Sequence, residues 1–347
     1  MSKDKYFSHE KLKSLVQSIF TNIGLNQKDA NVIADHLVLA SLRGVDSHGL
    51  SRVPIYVKRI KEGLVDIHGQ VKITHETPSS TLIDGDNLPG ILVAQTAIEL
   101  AVKKAKTSGI AMIGTKNSNH CGMLGAYALY AVKHNMIAFL TSNASPSMAP
   151  WGGMGKFFGT NPFCYGVPAG QEQDIILDMA TSVVAKGKIR LAEKKQVQIP
   201  EDWAITKDGK RTTDPTEALD GLVLPMAGPK GYGLVLLNDI LSGVFTGANY
   251  GPYISSMFEQ KIQGVGHFFV VMRPDLFQTL DTFKDKIDRY ITEIRRVRRM
   301  EGIDRIYLPG EIERDIEEKR RIEGIPLTAS LLDELNKISS ELNIHAI

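Results

Sequence analysis

A three-layer α/β sandwich with a mixed sheet is the fold class this sequence predicts, on three observations. Helix-like and strand-like periods alternate through residues 90–190, the pattern of helices layered on a sheet. Both ends of the chain are helical in period, so a segment at 1–74 is expected to pack with one at 275–347 around an α/β core at 75–274. The dinucleotide turn of a doubly wound domain is missing. Gly153, Gly155 and Gly159 are spaced GxGxxxG, stand well after their strand and open no helix.

At 347 residues, 43% hydrophobic and 23% charged, the chain has an ordinary globular composition and enough length for a full core. A net charge of +2 supplies no electrostatic reason to expect nucleic acid or a membrane surface as a partner. Cys121 and Cys164 are too few for a disulfide framework and lie near apolar runs, which fits a reducing, cytoplasmic setting. The start, MSKDKYFSHEKLK, lacks an apolar h-region, and no run of about 18 apolar residues occurs, so neither a secretory signal nor a membrane span is expected.

Leu12, Leu15, Val16 and Ile19 mark a first helix stopped by Gly24, and Val32, Ile33, Leu37 and Ala40 a second ending near Arg43. A third is expected with Ser51 as N-cap and Pro54 in its first turn. On it Arg52 and Tyr56 lie four apart and share a face, and His48 stands just ahead of its start. A histidine, an arginine and a tyrosine converging on one helix start can hold a small carboxylate; a capped surface turn is the competing reading.

Residues 71–86 read as short strands, ILVAQTAIELAVKKAKTSG as a helix ended by Gly109, IAMIGTKN as a strand and MLGAYALYAVKHN as a helix. The hinge from Asn117 to Gly122 puts His120 outside the carboxyl end of a strand, where open α/β sheets place ligands. A merely solvated loop histidine is the alternative. Strand-like IAFLTSN, PFCYGVPA and DIILDMA clamp a loop rich in Gly, Ser, Pro and Asn. Long loops held between apolar strands are usually functional, and this one offers close backbone approach and neutral hydrogen bonds; an irregular surface crossover is the bland alternative.

The stretch PEDWAITKDGKRTTDPTEALDG reads as a polar loop. Residues 228–247 read as a helix whose start carries Gly228, Lys230, Gly231 and Gly233, an anion site suited to phosphate or a place of tight packing. HFFVVMRP reads as a strand. Three helices close the chain: DTFKDKIDRYITEIRRVRRM, with its arginine run on a solvated face, RIYLPGEIERDIEEKRRIEG and TASLLDELNKISSEL. Pro309, Gly310 and Glu311 mark a turn. No P-loop, GxSxG elbow, HExxH or zinc-spaced Cys/His cluster occurs, so no metal is expected. Cys121 beside His120 is a poor nucleophilic pair, since sequence neighbours rarely meet in working geometry.

Taken in order, RGVDSHGLSR, NSNHCG, GGMGKFFGTNPF, ILDMAT and GPKGYGLVLLNDILSGVFTG resemble the malate/L-lactate dehydrogenase family, the type-2 group without a Rossmann fold, from about residue 8 to about residue 330. PEDWAITKDGKRTTDP and the GPKGYG helix are similar to the bacterial ureidoglycolate dehydrogenase branch, although malate and sulfolactate enzymes share much of the pattern. The resemblance implies reversible hydride transfer between NAD (or NADP) and a 2-hydroxy acid. It also implies a cofactor-binding core and a homodimer with each active site near the interface. Reduction of a cyclic imine of the piperideine-2-carboxylate type, or ligand binding without catalysis, are the alternatives.

By motif, His48 matches the family's proton donor or acceptor, Ser47 and Asp178 its relay partners, and His120 the base of the ureidoglycolate branch. A histidine near neutral pKa must take the hydroxyl proton, and His48 is favoured because the DMA motif offers it Asp178 as a carboxylate partner, whereas His120 is marked only by its strand-end position. Arg52, with Tyr56, is expected to hold the substrate carboxylate as a bidentate pair. For the cofactor the resemblance points to Asn161, Asp178, Met179, Ala180, Lys230, Gly231, Pro309, Gly310 and Glu311. It points also to Ser145, beside Ala144, which stands where the ureidoglycolate branch has its loop serine.

Overall fold

The computed structural model describes residues 4–347; Met1, Ser2 and Lys3, at the head of the expected N-terminal segment, lie outside the described residues. Its centre is a seven-stranded sheet: β1 (Lys72–Glu76), β2 (Ser80–Asp84), β3 (Ile110–Ser118), β4 (Ile137–Ser142), β5 (Phe163–Val167), β6 (Ile175–Met179) and β7 (Val265–Met272). The spatial order is β1-β2-β3-β7-β4-β5-β6. Only β2 and β3 pair in parallel. Their crossover is the helix Gly90–Ser108, as a parallel connection requires. β7 arrives from far along the chain and pairs antiparallel with both β3 and β4.

Alternation along the strands sends Ala111, Ile113, Leu140 and Phe269 to one face. There they meet Val93, Ile98 and Ala101 of Gly90–Ser108 and Tyr127 and Ala128 of the helix Leu124–Lys133 in one buried cluster. The helix Pro229–Asp239 and a π-helical turn, Ile240–Val244, lie on the other face. A second cluster joins Leu12, Ile19, Ile33 and Leu37 of helices His9–Asn22 and Gln27–Leu42 to Leu332, Leu335 and Ile338 of the last helix, Ala329–Glu341. A short strand, Lys5–Phe7, pairs with Ile325–Leu327 and ties the two ends of the chain.

The structure departs from the sequence reading in three places. The third helix runs Val53–Lys61 with Arg52 at its N-cap; Ser51 instead donates to Asp46 O at 2.5 Å. The polar stretch after Pro200 forms a two-stranded sheet, Ala204–Ile205 with Leu222–Val223, and a helix, Pro215–Asp220. They are held there because Ala204, Ala218 and Val223 bury against Met148 and Phe158. The helix expected over 228–247 changes at Ile240 to a π-helical turn.

Two histidines deep in this fold are held neutral. His36 and His267 are both buried, and desolvation pulls each down to about 3. A folded-state pKa below the unfolded one adds stability that is complete above about pH 6.5. That stability drains as pH falls toward 3, at about 1.4 kcal/mol per pH unit for each histidine. Urea unfolding at stepped pH is expected to show this slope, and His267→Gln to remove one histidine's share; equal slopes in the two proteins would contradict it.

Candidate active site

The turn before Val53–Lys61 is built from two 3-10 segments, Asp46–His48 and Leu50–Arg52. Gly49 between them lies so close to the helix Gln27–Leu42 that a Cβ there would stand 2.1 Å from Ser41 Oγ, and Ser41 Oγ accepts from Leu50 N–H at 3.0 Å. Arg320, from the helix Glu311–Glu323, grips Asp46 through two bonds of 2.6 and 3.0 Å. So pinned, the turn presents His48, whose Nδ1 pairs with Ser47 Oγ at 2.9 Å. The His48 and His120 rings stack with centroids 5.3 Å apart.

His120 reaches this point from the end of β3. Its Nδ1 accepts from Gly122 N–H at 3.3 Å and lies 2.6 Å from Tyr56 Oη. An amide N–H can only donate, so Nδ1 is the bare nitrogen, the tyrosine hydroxyl also donates to it, and the ring proton sits on Nε2. The hinge is braced from two sides. Met123 N–H donates to His36 Nε2 at 2.9 Å, and Gly122, at φ +75°, leaves room that a Cβ would take from His36 at 2.2 Å. His120 N–H donates to Gln263 Oε1 at 3.1 Å. At the strand ends His267 bridges Ser118 Oγ (2.8 Å) and Ser142 Oγ (2.9 Å), linking the root of the His120 hinge to the root of the loop after β4.

Charge decides what these groups can do. Arg52 donates from Nε to Ser47 O at 2.6 Å and from Nη1 to Met257 Sδ at 3.3 Å, and among the described residues no carboxylate pairs with it. Burial depresses its pKa, with Arg190 adding to the effect. Burial and the neighbouring Arg52 charge bring His48 down to about 4; burial, then His48 and Arg52, hold His120 well below its ordinary value. Both imidazoles are neutral near pH 7. Lys186 is depressed by burial and by the nearby charges of Lys156 and Arg190, so several cations crowd one side of the site. Burial pushes the Cys121 thiol up to about 12, which leaves it unreactive.

The other residues singled out from the sequence fall along the edge strand β6. Asp178 Oδ2 accepts from Gly125 N–H at 2.6 Å, at the start of Leu124–Lys133, and no hydrogen bond joins it to His48 among the described residues. Desolvation raises it to about 6. Met179 ends the strand and Ala180 follows it. Pro309 O accepts from Ile176 N–H at 3.1 Å, and Gly310 O from Gln173 Nε2 at 3.0 Å, so the 309–311 turn lies against the same edge. Glu311 is buried, its carboxylate taken by Arg295 (2.5 Å), Arg305 (3.2 Å) and Leu308 N–H (2.9 Å). Its backbone N–H also donates, to Leu308 O at 3.1 Å.

Asn161 is likewise buried. Its Oδ1 accepts from Ala144 N–H at 2.9 Å and its Nδ2 donates to Asp239 Oδ1 at 3.1 Å, so it ties the loop to the helix Pro229–Asp239. Ser145 is half-buried, and Lys230 and Gly231 stand in the first turn of that helix, the lysine exposed. Sequence reasoning missed Gln263, His36, His267 and Arg59. Arg59 alone carried a signal: it follows Arg52 and Tyr56 at helical spacing, on their face.

The sequence matches the model of the malate/L-lactate dehydrogenase family over residues 7–336. It is 39% identical to malate dehydrogenase of Pyrococcus horikoshii over 97% of this chain and 96% of that one. Against L-sulfolactate dehydrogenase of Methanocaldococcus jannaschii the identity is 38%, over 97% of both chains. That enzyme's solved structure superposes with a TM-score of 0.94 over 99% of this chain and 98% of its own. Ureidoglycolate dehydrogenase (NAD(+)) of Escherichia coli K12 is 32% identical over 94% of both. With its mixed sheet, its paired histidines and the whole of its length accounted for in this way, the chain belongs to the malate/L-lactate dehydrogenase family.

Proposed function

We propose that this chain interconverts a small 2-hydroxy acid and its 2-oxo acid with NAD or NADP, and that the acid carries a second anionic group. One observation carries the reading: Arg52, half-buried and with no carboxylate partner among the described residues, stands beside two stacked neutral imidazoles. A partly desolvated guanidinium calls for an anion, and its planar fork matches a carboxylate. The cations beyond it, Lys186 and Arg190, favour a second acidic group. So does the higher identity to enzymes named for malate and sulfolactate than to one named for ureidoglycolate.

In the oxidation direction His48 takes the hydroxyl proton, its Nδ1–H held by Ser47. His120 donates from Nε2 to the same oxygen and polarises it. Substrate binding itself helps the base: a carboxylate on Arg52 offsets the charge that depresses His48, so its pKa rises when the site is filled. A bound nicotinamide supplies the acceptor and donor of hydride.

The residues along β6 fit such a cofactor. Gln173 Oε1, beside Gly310, and Ser147 Oγ, in the loop after β4, are buried polar atoms without a protein partner. The first-turn amides of Pro229–Asp239, beside Lys230, suit a phosphate. Asp178, Met179, Ala180, Pro309 and Gly310 would line the edge, with Ser145 from the loop.

A homodimer is part of the reading. Leu234, Leu237, Ile240, Val244 and Phe245 are exposed along one stretch of the other sheet face, an apolar surface that a second copy would cover. Among the described residues no helix is long and apolar enough to cross a membrane, and both cysteines are free and buried; a cytoplasmic enzyme fits these facts.

The test is absorbance at the nicotinamide band with malate, sulfolactate, lactate, ureidoglycolate and a cyclic imine, each with NAD and NADP, and light scattering for the dimer. Preference for malate or sulfolactate over lactate supports the dianion. Preference for lactate or ureidoglycolate removes it, and NADH binding without turnover would leave only a ligand-binding protein.

A further inference from the structure

Arg52, Tyr56 and Arg59 lie on one face of Val53–Lys61 over two turns. The first two reach the site; the third does something different. Arg59 is only 2% exposed and has no ion-pair partner among the described residues. Its Nη1 donates to Met257 O and to Glu259 O, each at 3.1 Å, and its Nη2 to Lys261 O at 2.8 Å. Three carbonyls at alternate positions are thus gathered by one guanidinium. The segment they belong to lies between the 3-10 turn Gly251–Tyr253 and β7 and has only turns and bends of its own. Of the segment's apolar side chains Met257 is buried, whereas Phe258 and Ile262 are exposed, so apolar burial holds it at one point only.

The same segment touches both arms of the site. Met257 Sδ receives Arg52 Nη1 at 3.3 Å, and Gln263 Oε1 receives His120 N–H at 3.1 Å. A small cavity of about 20 Å³ behind His120 is lined by Tyr56, Arg59, Asn119, His120 and Gln263, so Arg59 also backs the imidazole. A buried cation is costly, the more so here because Arg59 Nε has no partner among the described residues. An apolar side chain would fill this space without that cost, but it could not bind three carbonyls. The planar fork of arginine can, and the single ammonium of lysine can do so only in part. Loops that carry binding groups need rigid support of this kind.

We propose that Arg59 is a positioning residue, which clamps the segment 257–263 against the site and thereby sets Arg52 through Met257 and His120 through Gln263. The inference rests on the reading of Arg52 and His120 given above. Displacing such groups by about 1 Å can cost about 100-fold in rate.

The experiment compares Arg59→Met and Arg59→Lys with Val102→Ala, a stability control buried in the sheet cluster, twelve residues along the helix Gly90–Ser108 from the end that meets Asn119 and His120. Each is measured for KM and kcat on the preferred hydroxy acid, for NADH binding by fluorescence, and for tryptic cleavage after the exposed Lys261. Arg59→Met is expected to raise KM about tenfold or more and to lower kcat. NADH affinity should stay within about twofold, because the segment lies away from β6. Cleavage after Lys261 should quicken, and Arg59→Lys should recover part of every loss. Kinetics unchanged in Arg59→Met, or matched by Val102→Ala at equal thermal stability, would overturn the proposal. If the wild-type protein turns over no hydroxy acid, the functional reading fails, yet cleavage after Lys261 still decides the clamp: quicker in both variants supports it, unchanged overturns it.

Discussion

His48→Ala is expected to lower kcat by about 10²–10⁴-fold with a modest change in substrate KM, the signature of a lost general acid/base. The expectation rests on the two ring environments. His120 Nδ1 already accepts from Gly122 N–H and Tyr56 Oη, which leaves its Nε2 protonated and suited to polarise the substrate oxygen. His48 pairs only with Ser47 at Nδ1 among the described residues, and in the tautomer whose Nδ1–H donates to Ser47 Oγ its Nε2 is bare and takes a proton. His120→Ala is expected to act more on positioning and on KM.

The pH profile gives a second reading of the same assignment. Burial and the Arg52 charge hold His48 at about 4 in the free enzyme, so kcat/KM for oxidation should fall only as pH drops toward that value. The acid limb of kcat should lie higher, because bound carboxylate offsets Arg52. Asp178→Asn keeps an acceptor for Gly125 N–H, so a partial fall in kcat would reveal a long-range contribution of its charge to His48. If His120→Ala abolishes turnover while His48→Ala mainly weakens binding, the roles are reversed.

The second large effect belongs to Arg52. Removing it strips a carboxylate of a charge-assisted partner worth about 1.5–3 kcal/mol, or about 10–150-fold in KM. Arg52→Lys should restore only part, since an ammonium cannot reproduce the fork that Ser47 O and Met257 now orient. The pH profile adds a check: with Arg52 gone, the acid limb of kcat/KM should move upward, because a depressing charge has left His48. Unchanged kinetics in Arg52→Ala would take this residue out of the site.

Much of this was legible before any coordinates. Helices and strands announce themselves through local period and punctuation, so the terminal helices, the strands on either side of the long loop and the hinge holding His120 could be read directly. The gathering of His48, Arg52 and Tyr56 was legible for the same reason, since all three belong to one helix start. The small sheet around Ala204 was not, because its strands are two residues long and exist only through burial against Met148 and Phe158.

Partner choice across the chain was beyond local pattern. Asp178 reads as a relay carboxylate in its motif, yet it is Gly125, 53 positions away, that donates to it. Asn161 and Glu311 read as cofactor contacts, and their side chains are spent on Asp239 and on two arginines. His120 gains its tautomer from Tyr56 and its brace from Gln263, 64 and 143 positions away. Arg59 shares a helical face with Arg52 and Tyr56, yet it becomes a clamp only because a segment 200 positions later is brought against it. Period and propensity act within a few residues and so select the elements, whereas hydrogen bonds and desolvation depend on which distant elements the folded core brings into contact, and there the chemistry of each side chain is settled.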